Sequence, residues 1–226
     1  MYLPPLNAVH DEAQTRAMVA AARTGWLVTV DRDGVPLATL LPIIWAGERV
    51  IAHMAKANPQ WKQIQPGAPC LIIVTGAQAY ISPSWYAAKA EDGKVVPTWN
   101  YSAVHLTGTV TVHEDSGWLR TAVTELTDLH EAGRDHPWQV TDAPEPYVEG
   151  QLRGIVGIEV AVTRVEGKAK LSQNRSGADR RGVVDGLRAD VASGHLRGAA
   201  APEAHEMAGE IADRLAAEEQ STSRTG

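Results

Sequence analysis

The chain has 226 residues, 44% of them hydrophobic and 21% charged, proportions that exclude a disordered tail or a fibrous repeat and allow one large domain or two small ones. Twenty-seven acidic against 21 basic side chains leave a net charge of -6, whereas direct nucleic-acid binding usually brings a basic surplus or stripe. The sequence holds neither a run of about 18 apolar residues nor a basic-then-apolar leader, and its single cysteine, Cys70, has no disulfide partner, so a cytoplasmic protein without a membrane partner is expected.

In chain order, residues 11–23 place Met18, Val19 and Ala22 at helical spacing, with Asp11 and Glu12 in the first turn, and predict a short helix. Residues 24–54 predict three strands, separated by turns at Asp33-Gly34 and Ala46-Gly47-Glu48; Pro36 and Pro42 mark the middle one as an edge or a bulge. Further strands are expected at 70–75, with Cys70 buried in it, and at 80–82. Residues 102–113 alternate most clearly, with Val104, Leu106, Val110 and Val112 on one face and His105, Thr107, Thr109 and Thr111 on the other. The period then changes: Leu119, Ala122, Val123, Leu126 and Leu129 predict an amphipathic helix capped by Ser116 and stopped at Gly133. A loop, DAPEPYVEG, leads to a second short helix, residues 155–165 predict a final strand, and 203–219 a last helix before a frayed STSRTG end. Six or seven antiparallel strands with few, peripheral helices predict a mainly β (α+β) fold closed into a barrel.

G-x-S-x-G, Walker A and H-E-x-x-H motifs are missing, as is a G-x-G-x-x-G after a strand. Four polar segments at strand ends remain: HMAKANPQWK, YISPSWY, VPTWNYSAVH and GKAKLSQNR. In the first, small Ala55 and Ala57 leave space for a flat ligand beside His53, while Asn58, Lys62 and a helix start near Pro59 suit an anion. A neutral imidazole can ligate haem iron or exchange protons; the alternative is a strand-end histidine bonded to backbone. Trp85, Tyr86, Trp99 and Tyr101 line a pocket or anchor loops. Lys168, Lys170 and Arg175 neutralise a phosphate or carboxylate, or form a hydrated surface run. His113, His130, His136, His195 and His205 show no partner pattern.

MYLPP, HMAKANPQW, YISPSWY, VPTWNY and KLSQNR occur in an order and spacing that resemble the PaiB family, described as FMN-binding negative transcriptional regulators, over residues 1 to about 189. The resemblance implies an FMN-binding split β-barrel like that of flavin reductases and pyridoxamine phosphate oxidases. It also implies a homodimer with cofactor pockets at the subunit interface. The expected organisation is a split-barrel cofactor-binding domain at 1–190 and a C-terminal helical extension with its tail at 191–226. One departure is Thr39 or a neighbour in ATLLP, where many members carry a histidine before Leu-Pro.

The chain is also similar to the piperazate synthases, haem-dependent enzymes that close the amino acid N5-hydroxyornithine into a ring through a nitrogen–nitrogen bond. That likeness implies haem b with His53 as axial iron ligand. Lys56 and Lys62 become the proton source or propionate partners, Lys168 and Arg175 carboxylate binders, and Trp85 and Trp99 pocket walls. The alternative is an FMN protein, either a flavin oxidoreductase or a negative regulator, with phosphate near Lys56, Asn58 and Lys62 and the flavin ring beside Trp85 or Trp99.

Overall fold

The computed structural model describes residues 1–224. Its strands are β1 (Ala8–Val9), β2 (Thr24–Val30), β3 (Pro36–Pro42), β4 (Ile44–Ala46), β5 (Arg49–Ala55), β6 (Ala68–Ile81), β7 (Thr98–His113) and β8 (Ile155–Lys170). They join in one sheet in the order β3-β2-β6-β7-β8-β5-β4, with β1 added to β8. The helices are α1 (Glu12–Ala22), α2 (Ala88–Glu91), α3 (Ser116–Glu131), α4 (Glu145–Leu152), α5 (Gly177–Ala192) and α6 (Ala200–Arg224). This is the expected antiparallel sheet with helices, the split-barrel architecture.

The chain divides into two units. The first, Asp11–Val74 with Val104–Glu166, is built on period-two alternation. Leu27, Val50, Ala52, Met54, Ile72, Val74, Val104, Leu106, Val156, Ile158 and Val160 point inward and form one buried cluster, each large side chain contributing about 1.5–3 kcal/mol on burial. The second unit comprises Met1–His10, Thr75–Ala103 and the chain from Gly167. Here α5 buries Val183, Val184 and Leu187, and α6 buries Ala204, Met207, Ala208 and Ile211. Arg180 pairs with Glu218 and Arg181 with Glu219 along the same two helices.

Several expectations are corrected. The middle strand of 24–54 is two, because pairing breaks after Pro42 and resumes at Ile44; β3 ends the strand order, where its prolines leave no sheet partner without a donor. The strands expected at 70–75 and 80–82 are the single 14-residue β6. β7 starts earlier than 102, and β8 runs on to Lys170, so Lys168 and Lys170 are strand residues. The cap of α3 is Asp115, whose carboxylate accepts from the Trp118 N–H at 2.8 Å, and Ser116 is the first helical residue. The stretch DAPEPYVEG already contains the start of α4. Pro59 opens a short 3₁₀ turn, Pro59–Gln63, rather than an α-helix. The last helix continues through Arg224, so the first four residues of STSRTG are helical; the final two lie outside the described residues.

Candidate functional site

Along β5 the inward positions Val50, Ala52 and Met54 are buried at 2% exposure or less, which leaves His53 on the opposite, outer face. His53 is the cross-strand partner of Gly157 on β8. The missing side chain of Gly157 makes room for the Trp118 ring of α3, which occupies the volume a Cβ would take. His113 stacks on that indole with centroids 4.2 Å apart and planes 9° from parallel. Its Nε2 lies 3.8 Å from the Glu159 carboxylate, which also pairs with Arg49 at 3.1 Å.

His53 Nδ1 is buried and has no hydrogen-bond partner. Burial also lowers the pKa of the ring from its ordinary value near 6.5, so the imidazole is neutral at pH 7 and carries the lone pair that iron ligation needs. An unbonded buried imidazole nitrogen is unlike the backbone-bonded histidine of the alternative reading. Because Nδ1 is sealed from solvent, the nitrogen that would hold haem iron is Nε2. Among the described residues no cluster of three or more His, Cys, Asp or Glu could hold a bare metal ion.

Three residues beyond His53, the Lys56 ammonium lies 3.4 Å from Glu114. Lys56 lines a cavity of about 420 Å³ with Arg120, Arg153, Glu149 and the first residues of α3, Ser116 and Gly117. The cavity is of mixed charge: Lys56 faces Glu114, Arg120 pairs with Glu145, Glu149 adds a further carboxylate and Asp115 already caps the start of α3, which leaves Arg153 as the lining cation without a carboxylate partner among the described residues. Asn58 is committed elsewhere: its oxygen accepts from the Gln60 N–H at 2.9 Å, and its amide donates to Thr39 Oγ1 at 2.9 Å. Thr39 donates in turn to Gln60. Lys62 stands over the Trp61 ring, 5.6 Å from its centroid.

The remaining expected residues belong to the second unit. Trp85 and Trp99 line one cavity, with Trp99 edge-on to Tyr80 at 6.2 Å. The Lys168 ammonium is buried and donates to the Tyr101 hydroxyl at 2.6 Å and the Tyr2 carbonyl at 3.1 Å. Lys170 donates to Thr98, and the Arg175 guanidinium covers the Tyr86 ring at 4.4 Å. The expected site residues therefore form two sets, His53, Lys56, Asn58 and Lys62 in the first unit and Trp85, Trp99, Lys168 and Arg175 in the second. Sequence reasoning missed His113, Trp118, Arg120 and Arg153. The five-residue step from His113 to Trp118 crosses a strand-to-helix junction and follows neither period, so no spacing signal exposes the stacked pair.

Residues 1–164 match the family described as "Putative FMN-binding domain". Protease synthase and sporulation protein PAI 2 of Bacillus subtilis is 32% identical over 191 residues, covering 83% of this chain and 89% of that protein. Among solved structures, the FAD and heme binding protein from Mycobacterium smegmatis superposes with a TM-score of 0.56 at 17% identity, over 73% of each chain. Rv2991 from Mycobacterium tuberculosis gives 0.55 at 14% identity, over 77% of this chain and 92% of that one.

Proposed function

The chain belongs to this FMN-binding domain family, and from that premise we propose that it is a haem-dependent cyclase that converts N5-hydroxyornithine into a six-membered ring containing a nitrogen–nitrogen bond. The observation that carries the proposal is the neutral, unpartnered imidazole of His53, which would hold the iron. The split-barrel relative from M. smegmatis, named as binding both FAD and heme, supports a fold that accepts either group. Haem, when bound, supplies a Lewis acid that polarises the N–O bond of the hydroxylamine.

The chain's own residues bind, orient and move the proton. Arg153, in the cavity beside Lys56, holds the substrate carboxylate, and Lys56 Nζ gives its proton to the departing hydroxyl. The substrate α-amine forms the N–N bond as the N–O bond breaks, and it loses one proton, which restores Lys56. One water leaves, and no oxidant or reductant is consumed. Positioning supplies much of the rate, because the flexible substrate must curl until the amine lies in line with the breaking bond.

A second reading rests on the family's description: FMN in place of haem, with its phosphate beside Arg153 and Lys56 in the same cavity. Both readings take a cytoplasmic homodimer. The outer face of β2 and β3 is apolar, with Trp26 opposite Leu40 and Val28 opposite Ala38. Trp26, Leu40 and Val30 are 44%, 49% and 54% exposed, an apolar face of the kind that marks protein contacts. We assign the second copy to it.

The cyclase is tested by incubating haem-loaded protein with N5-hydroxyornithine and following the product by mass spectrometry. The expected result is a cyclic product lighter by one water, formed more slowly by Lys56→Met. A haem-loaded protein that leaves the substrate intact would overturn the reading.

A further inference from the structure

A cavity of about 450 Å³ lies among β6, β7, α5 and α6 within the second unit, a volume that suits a small molecule. Its walls are of two kinds. Tyr80, Trp85 and Trp99 supply aromatic surface, and Asp190 and Glu203 supply carboxylates, with His195 beside them; no lysine or arginine is among the lining residues. Neither Asp190 nor Glu203 forms an ion pair among the described residues.

We propose that this cavity is a second ligand site, lined by none of the residues described around His53, and that it takes a small organic cation, an alkylammonium or guanidinium compound. The sign of the ligand follows from the walls. Aromatic faces carry negative quadrupole potential and attract cations; two carboxylates with no lysine or arginine beside them repel anions, and an uncharged apolar ligand would cost them hydration without return. The aromatic wall is also open to a guest: Trp99 is 55% and Tyr80 47% exposed.

The site is preorganised. Gly182 and Gly186, one turn apart on α5, lie against the Trp85 carbonyl and the Trp85 ring, so a side chain at either position would collide with that segment. The notch fixes the indole before any ligand arrives, and a fixed wall loses less freedom on binding. Asp190, His195 and Glu203 all lie beyond the 1–164 stretch matched to the family. The proposal holds with haem, FMN or neither in the first unit.

The test titrates the full-length protein with butylammonium and butylguanidinium, and with n-butanol and butyrate as uncharged and anionic controls, by calorimetry and tryptophan fluorescence. Saturable binding of a cation, weakened by salt, with both controls failing to bind, is the expected result. Asp190→Asn/Glu203→Gln, which keeps side-chain volume, should weaken it about fivefold or more, and Trp99→Ala should weaken it to a similar extent. The proposal is overturned if neither cation binds saturably, if butanol binds as tightly as butylammonium, or if the Asn/Gln double variant binds as wild type does.

Discussion

Gln60 is 3% exposed, and every polar atom of its amide has a partner. Its nitrogen donates to Thr29 Oγ1 at 3.0 Å and to the Leu27 carbonyl at 3.2 Å, while its oxygen accepts from Thr39. Gln60→Leu should cost about 1–3 kcal/mol, because the Thr29 hydroxyl loses its donor and the Thr39 hydroxyl its acceptor inside the fold; denaturant unfolding measures it, and an unchanged midpoint would show that these hydroxyls are satisfied otherwise. Cys70 is the opposite case, a buried thiol whose pKa is pushed up to about 12. It should resist alkylation in the native protein at pH 8 and react once the chain is unfolded. For His53, burial depresses the pKa, so an unfolded imidazole takes its proton first as pH falls. The unfolded state then binds more protons, and stability declines below about pH 6.5 while staying flat above it. His53→Gln should make that acid decline shallower, and an identical decline in both proteins would refute the assignment.

At the scale of elements, Gly157 and Gly186 each let an aromatic ring approach the backbone. Gly157→Ala should displace Trp118 and, through it, the stacked His113, at a cost of about 1–3 kcal/mol for overpacking; thermal unfolding and tryptophan fluorescence would report it, and a silent substitution would mean that the indole has room to move. The same glycines explain what the sequence hides. β7 was legible because its valines and threonines alternate strictly. α5 was not, since Gly177, Gly182 and Gly186 lower its helix propensity and its stability comes from packing on Trp85 and α6, contacts remote in sequence. At the start of α3 two capping residues stand side by side, Asp115 and Ser116, and only the geometry selects the aspartate. Of the site, His53 and Lys56 were legible because they share one short segment. Arg120 and Arg153 were not, because α3 and the end of α4 meet the segment after β5 only through the tertiary fold.

For the molecule as a whole, the apolar outer face of β2 and β3 carries the dimer proposal. Trp26→Glu or Leu40→Lys should give a monomer by light scattering, whereas the wild-type chain runs as a dimer; dimers that persist in both variants would move the interface elsewhere. No helix among the described residues is long and apolar enough to cross a membrane. The most direct measurement is the visible absorption spectrum of wild-type and His53→Ala protein, each purified from cells supplied with a haem precursor and riboflavin. One intense Soret band in the wild type that is lost or shifted in His53→Ala is the expected result. Two broad flavin bands in the wild type, or a Soret band unchanged by the substitution, would contradict haem ligation by His53.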